Sequence, residues 1–118
     1  NIYLPHLYEK NCVAYLGTHD NNTFDGLLQK ATAKANICKY LFLPNYASNN
    51  QITYCAIERL LASNANVTIL RTQDLLLQDS TQRINTPGTT TGNWQYHCPK
   101  IPNDTWAYLR DITKKYNR

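Results

Sequence analysis

Five consecutive residues, Gly17-Thr18-His19-Asp20-Asn21, set an imidazole beside a carboxylate directly after a short apolar run, Cys12-Val13-Ala14-Tyr15-Leu16. In parallel α/β folds ligands bind at the carboxyl ends of strands. His19 and Asp20 therefore stand where side chains can grip vicinal hydroxyls or steady a developing cation. The same residues fit a plain turn in which Asp20 and Asn21 cap the next helix and His19 lies at the surface. Gln73-Asp74 follows a second strand-like run and fits either polar ligand contacts or another turn. The third candidate is the loop from Arg83-Ile84-Asn85-Thr86-Pro87-Gly88 to Gly92-Asn93-Trp94. Asn and Arg bond polyols, and an indole stacks on sugar faces or seals a pocket; a surface loop with Trp94 packed on the core is the other reading. His6 and His97 are single histidines for which a structural role suffices.

These residues do not make a complete catalytic set. The only glutamates are Glu9, in the leading segment, and Glu58, on the solvent side of an expected helix. A retaining glycosidase needs two carboxylates about 5–5.5 Å apart, and nothing in the spacing pairs Asp20 with Glu9 or Asp74. There is no serine elbow, phosphate loop or HExxH. The four cysteines, Cys12, Cys38, Cys55 and Cys98, are spaced by 26, 17 and 43 residues and contain no CxxC, which matches no zinc pattern. Cys38 and Cys55 fall on apolar helix faces, so free buried thiols are expected in preference to disulfides. No metal or organic cofactor is called for.

The elements that must position these residues can be read from hydrophobic period and length. Residues 1–11 read as irregular. Cys12–Leu16 has strand length and suits a central parallel strand buried on both faces. A helix is expected from about Phe24 to Leu41, with Phe24, Leu28, Ala31, Ala35 and Cys38 on one face, Asn22 or Thr23 at its start, and Pro44 with the polar stretch after it as its stop. A second helix, about Gln51 to Ser63, buries Ile52, Cys55, Ala56 and Leu60. Val67–Leu70 is the next strand. The polar run from Gln78 to Asn93 reads as a long loop with at most a helical turn near Asp79–Arg83, and loops of such length are usually functional or disordered. A last helix spans about Asp104 to Tyr116, capped by Asn103, with Trp106, Leu109, Ile112 and Tyr116 on its face. Two successive β/α units result, with parallel strands. Two such strands cannot cover their own faces and edges, so further polypeptide is expected to complete the sheet.

At 118 residues the chain is one domain's worth of polypeptide. Its net charge is +4, from 12 Lys and Arg against 8 Asp and Glu, and Lys114-Lys115 is the only adjacent basic pair. A nucleic-acid stripe is therefore absent, no apolar run is long enough to span a bilayer, and partners of neither class are expected. The chain opens without a secretory leader and without Met; a piece of something longer, in the cytoplasm, is the expectation.

Leu4-Pro5-His6, the run Val13–Thr23 through Gly17-Thr18-His19-Asp20-Asn21, the block Gln73-Asp74-Leu75-Leu76, and Arg83-Ile84-Asn85-Thr86-Pro87-Gly88 with Gly92-Asn93-Trp94 resemble, in that order and spacing, the 4-alpha-glucanotransferase (amylomaltase, disproportionating enzyme) family. The resemblance implies an α/β chain forming the C-terminal part, the last two β/α units, of a (β/α)8 TIM barrel. It implies transfer of α-1,4-glucan segments between maltodextrins by a retaining double displacement, without a cofactor. The family's nucleophilic aspartate and acid/base glutamate lie upstream of the GTHDN block, so the isolated segment should be inactive. Asp20 corresponds to the third carboxylate, which stabilises the transition state, and His19 to its neighbour on the same sugar. His6, Asn21, Gln73, Asp74, Arg83, Asn85, Asn93 and Trp94 fall in the blocks implied to bind substrate. The expected partners are α-1,4-glucans and the remainder of the barrel. A catalytically inactive glucan-binding or regulatory remnant of the same fold is the alternative. Departures from the family are Asn22 in place of an aspartate, Leu77-Gln78-Asp79-Ser80 without a glycine, Ile84 for methionine, and Tyr96-His97 for tryptophan–arginine. They imply a divergent member with altered outer subsites.

Overall fold

The structure, a computed structural model, describes residues 3–118. It is an α/β arrangement of two short parallel strands and five helices, β1 (Val13–Tyr15), α1 (Phe24–Leu28), α2 (Ala31–Leu41), α3 (Asn49–Leu61), β2 (Val67–Ile69), α4 (Thr72–Leu75) and α5 (Asn103–Lys115), with single 3-10 turns at Pro5–Leu7 and Ser80–Gln82. The strands pair in register Val13 with Val67, Ala14 with Thr68 and Tyr15 with Ile69. No closed barrel forms among the described residues.

Helix α3 is the hub, because three of its faces are apolar. Ile52 and Ala56 meet Phe24 and Leu28 of α1 and Cys38 and Leu41 of α2. Leu60 meets Ala14 of β1 and Ala65. Ile57 and Leu61 meet Ile112 of α5. This wider enclosure is why Thr53, Ile57 and Leu61 are buried beside the expected Ile52, Ala56 and Leu60, while Cys55 is only half-buried. The helix begins two residues before the expected start, where the Ser48 hydroxyl accepts from the Gln51 amide.

The expected single helix over residues 24–41 is two. Lys30 adopts an extended conformation at the start of α2, and the resulting bend lets both segments reach Ile52. The apolar steps of three and four run straight through the break, so the period does not register it. Thr23, one of the two expected caps, accepts from the Gly26 amide. Helix α2 stops at Phe42, not Pro44: Phe42 takes the left-handed conformation (φ 57°) and its amide reaches the Cys38 and Lys39 carbonyls. Pro102, not Asn103, precedes α5.

The expected burial of β1 on both faces is corrected. Ala14 is 3% exposed against α3, but Val13 and Tyr15 on the opposite face are 51% and 46% exposed. Val67 and Ile69 share that open face. Period two puts alternate residues on opposite faces, and this chain supplies helices to one face only. No helix is long and apolar enough to cross a membrane among the described residues.

Candidate functional site

The carboxyl ends of β1 and β2 carry three segments that close on one another. The chain leaves β1 through Leu16 and Gly17 into a turn, where the Asn21 amide donates to the Thr18 carbonyl at 3.2 Å. Asn21 Oδ1 accepts from the Thr18 amide at 2.8 Å and from its hydroxyl at 3.2 Å. Its oxygen is thus spent inside the turn, and among the described residues its Nδ2 has no protein acceptor. Neither Asp20 nor Asn21 caps α1, since Thr23 does; the carboxylate of Asp20 projects from the turn, 49% exposed.

The loop after α4 meets that carboxylate. Asn85 Nδ2 donates to Asp20 Oδ1 at 2.7 Å, and the Asn85 amide donates to the His19 carbonyl at 3.1 Å. His19 Nε2 lies 3.4 Å from the same Oδ1. Among the described residues Asp20 Oδ2 has no protein donor, so one oxygen is fastened and the other is open to a ligand. Arg83 donates through Nη2 to the Asp20 carbonyl at 2.7 Å and through Nε to the Asn85 carbonyl at 2.8 Å. Trp94 stacks at a tilt on His19, ring centroids 4.9 Å apart, and its amide returns to the Ile84 carbonyl at 2.8 Å. Trp94 holds φ +59°, an uncommon conformation for a bulky side chain. Asn93 pins the intervening loop, accepting from the Thr86 amide at 2.8 Å and donating to Thr89.

Gln73 and Asp74 sit elsewhere than expected of ligand contacts. Both lie in the single turn of α4 and are buried, 3% and 2% exposed. Gln73 donates to the Gln82 carbonyl at 3.3 Å. Asp74 accepts from the Phe24 amide at 2.7 Å and from Arg71 at 2.9 and 3.1 Å. Its oxygens are occupied by protein donors, the orphan Phe24 amide at the start of α1 and the Arg71 guanidinium. His6 is not part of the cluster either: its ring stacks on Tyr40 and its Nδ1 lies 2.9 Å from the Tyr40 hydroxyl. Glu58 is half-buried, not free on the solvent side, and accepts from Lys115 at 2.8 Å and Tyr116 at 3.1 Å.

Sequence reasoning missed Arg71. It donates through Nη1 to the Thr18 carbonyl at 2.9 Å and the Asn21 carbonyl at 3.2 Å. Its only local signal was the i, i+3 spacing to Asp74. Together Arg71 and Arg83 take up the backbone carbonyls of residues 18, 20 and 21, yet neither guanidinium pairs with the Asp20 carboxylate. Asp20, Asn21, Lys30, Arg71 and Arg83 help to line a hollow of about 410 Å³. Among the described residues no three His, Cys, Asp or Glu side chains converge as metal ligands, and all four cysteines are free thiols.

An open carboxylate oxygen beside an imidazole, an amide and an indole suits the grip of a polyhydroxylated ring that gains positive charge. It lacks a second carboxylate to act as acid or nucleophile. Residues 1–102 match the sequence profile of a family described as 4-alpha-glucanotransferase. The whole chain is 40% identical to part of the chloroplastic/amyloplastic 4-alpha-glucanotransferase of Arabidopsis thaliana, covering 21% of it, and 38% identical to part of the 4-alpha-glucanotransferase of Clostridium butyricum, covering 25%. The solved amylomaltase from Streptococcus agalactiae in complex with acarbose superposes on 97% of this chain with a TM-score of 0.85 and 35% identity, over 23% of its own length. The chain thus spans a quarter or less of the length of these relatives.

Proposed function

Because the chain belongs to the 4-alpha-glucanotransferase family, we propose that it supplies the last two β/α units of a (β/α)8 barrel that transfers α-1,4-glucan segments between maltodextrins by retaining double displacement. The nucleophile and the acid/base come from upstream polypeptide. The observation that carries this reading is the 2.7 Å hydrogen bond from Asn85 to Asp20, which makes one cleft of two loops.

In this reading Asp20 is the transition-state stabiliser. As the sugar ring flattens and charge spreads over the anomeric carbon and ring oxygen, the ionised carboxylate holds ring hydroxyls more tightly. His19 binds the same sugar, Trp94 offers its exposed indole face, and Asn21 and Asn85 donate to hydroxyls. Arg83 and Asn93 shape the loop that carries Asn85. Gln73 and Asp74 support the cleft from behind. The bare sheet face of Val13, Tyr15, Val67 and Ile69 supports completion by other strands, since a barrel of this kind needs about 250 residues. A cytoplasmic, reducing location belongs to the same proposal and is supported by the unpaired thiols.

The test begins with the mass of the protein as expressed, then follows maltotriose. The complete polypeptide should disproportionate maltotriose into glucose and longer maltodextrins, and the isolated 118 residues should not. Transfer by the isolated segment overturns the division of labour. Glucan binding without turnover by the complete polypeptide identifies a non-catalytic remnant instead.

A further inference from the structure

We propose that Arg71 is the positioning residue of this cleft: its guanidinium, held by buried Asp74, sets the Thr18–Asn21 turn and so aims the Asp20 carboxylate. The inference rests on the reading of Asp20 as the charge that stabilises the transition state. Arg71 stands just past β2, with its side chain only 11% exposed. Nε and Nη2 face Asp74 at 2.9 and 2.8 Å, while Nη1 reaches the carbonyls of Thr18 and Asn21, the residues that bracket His19 and Asp20. One planar fork thus spans a fixed carboxylate and both ends of the turn.

Two further contacts make the clamp stiff. The Asp74 oxygen that accepts from Arg71 Nη2 also accepts from the Phe24 amide, the first residue of α1. The turn is therefore tied at both its ends to Arg71, just past β2, and through Asp74 to the start of α1. At the entrance, a Cβ on Gly17 would lie 2.9 Å from Arg71 Nη2. Only glycine lets the guanidinium cross the strand end this closely. Lysine cannot replace the fork, because an ammonium is a point charge without two divergent planar donors.

The experiment is a double-mutant cycle in the full-length polypeptide that carries this segment, with maltotriose transfer as readout. Displacing a reacting group by about 1 Å can cost about 10²-fold. Arg71→Met should lower kcat by about 30-fold while moving KM less than about threefold. Added to Asp20→Asn, it should cost less than about a further threefold, since Arg71 acts through that carboxylate. Arg71→Lys should recover thermal stability but not kcat. Additive losses in the cycle, or recovered kcat in Arg71→Lys, overturn the proposal. Amide exchange supplies a readout free of turnover. The Thr18 and Asn21 amides should exchange about tenfold faster in Arg71→Met, with Ile57 in α3 unchanged. Unchanged turn amides, or a uniform rise across the chain, sink the clamp. An unaltered protein that shows no transfer defeats the proposed function, and the exchange measurement then still decides on Arg71.

Discussion

The side-chain amide of Asn85 donates to Asp20 Oδ1 across a separation of 65 residues. The donor is neutral, and both neighbouring arginines spend their donors on backbone carbonyls and on Asp74. Asp20 is thereby oriented without an ion pair to either arginine. A carboxylate meant to answer a developing positive charge needs this combination, since a local counter-ion would screen it.

In the full-length polypeptide with the proposed activity, Asp20→Asn keeps the shape and removes the charge. It should cost about 3 kcal/mol of transition-state stabilisation, about 10² in kcat/KM. A loss below tenfold in steady-state kinetics removes Asp20 from that role.

Asn85→Asp places a second carboxylate against Asp20. Like charges at this distance repel, and the introduced carboxyl can donate to Asp20 as the amide does only once it has taken up a proton. Activity at pH 7 should fall below that of Asn85→Ala and recover toward acid pH, whereas Asn85→Ala should show no such recovery. Parallel pH–rate profiles for the two variants would refute the contact.

Trp94 sets an aromatic stack against a costly backbone. Trp94→Gly removes the ring from His19, a contact of about 0.5–1.5 kcal/mol, and relieves a left-handed residue of about 1–2 kcal/mol. Thermal unfolding should shift little, while KM for maltodextrins rises several-fold. A sharp fall in melting temperature would show that the indole serves the fold instead of the cleft.

Asp74 binds both Arg71 and the first amide of α1. Asp74→Ala should destabilise the protein by about 3–5 kcal/mol, because it leaves a covered guanidinium without its partner. Calorimetry that finds less than about 1 kcal/mol, the worth of an exposed pair, contradicts the buried linkage.

Tyr108 packs on the Tyr54 ring at 4.8 Å, and among the described residues its buried hydroxyl has no hydrogen-bond partner. Burial, reinforced by the nearby Glu58 charge, pushes its ionisation upward. The unfolded chain releases that proton near pH 10, so the related stability is whole below about pH 10 and drains away as pH rises above it. Tyr108→Phe should be neutral or stabilising by up to about 1 kcal/mol at pH 7. It should also flatten the loss of melting temperature between about pH 9.5 and 11.

Local pattern alone carried the two strands, α3 and α5, the loop that bears Asn85, and the placement of His19 and Asp20 at a strand's carboxyl end, but not the short α4. Chain period and turn chemistry act over a few residues, so they are visible without coordinates. That two parallel strands cannot cover their own faces and edges was legible too, but Cys12–Leu16 read as buried on both faces, and only the structure showed Val13 and Tyr15 exposed. Other features belonged to the tertiary structure. The break between α1 and α2 arises where two segments must both reach Ile52, an instruction that resides in α3. The tie of buried Asp74 to the Phe24 amide joins it to a helix 50 residues earlier, and the task of Arg71 follows from carbonyls of a turn 53 residues away. Polar partnerships between distant segments have no period along the chain. They come into being only when the apolar faces of α3 have brought those segments together.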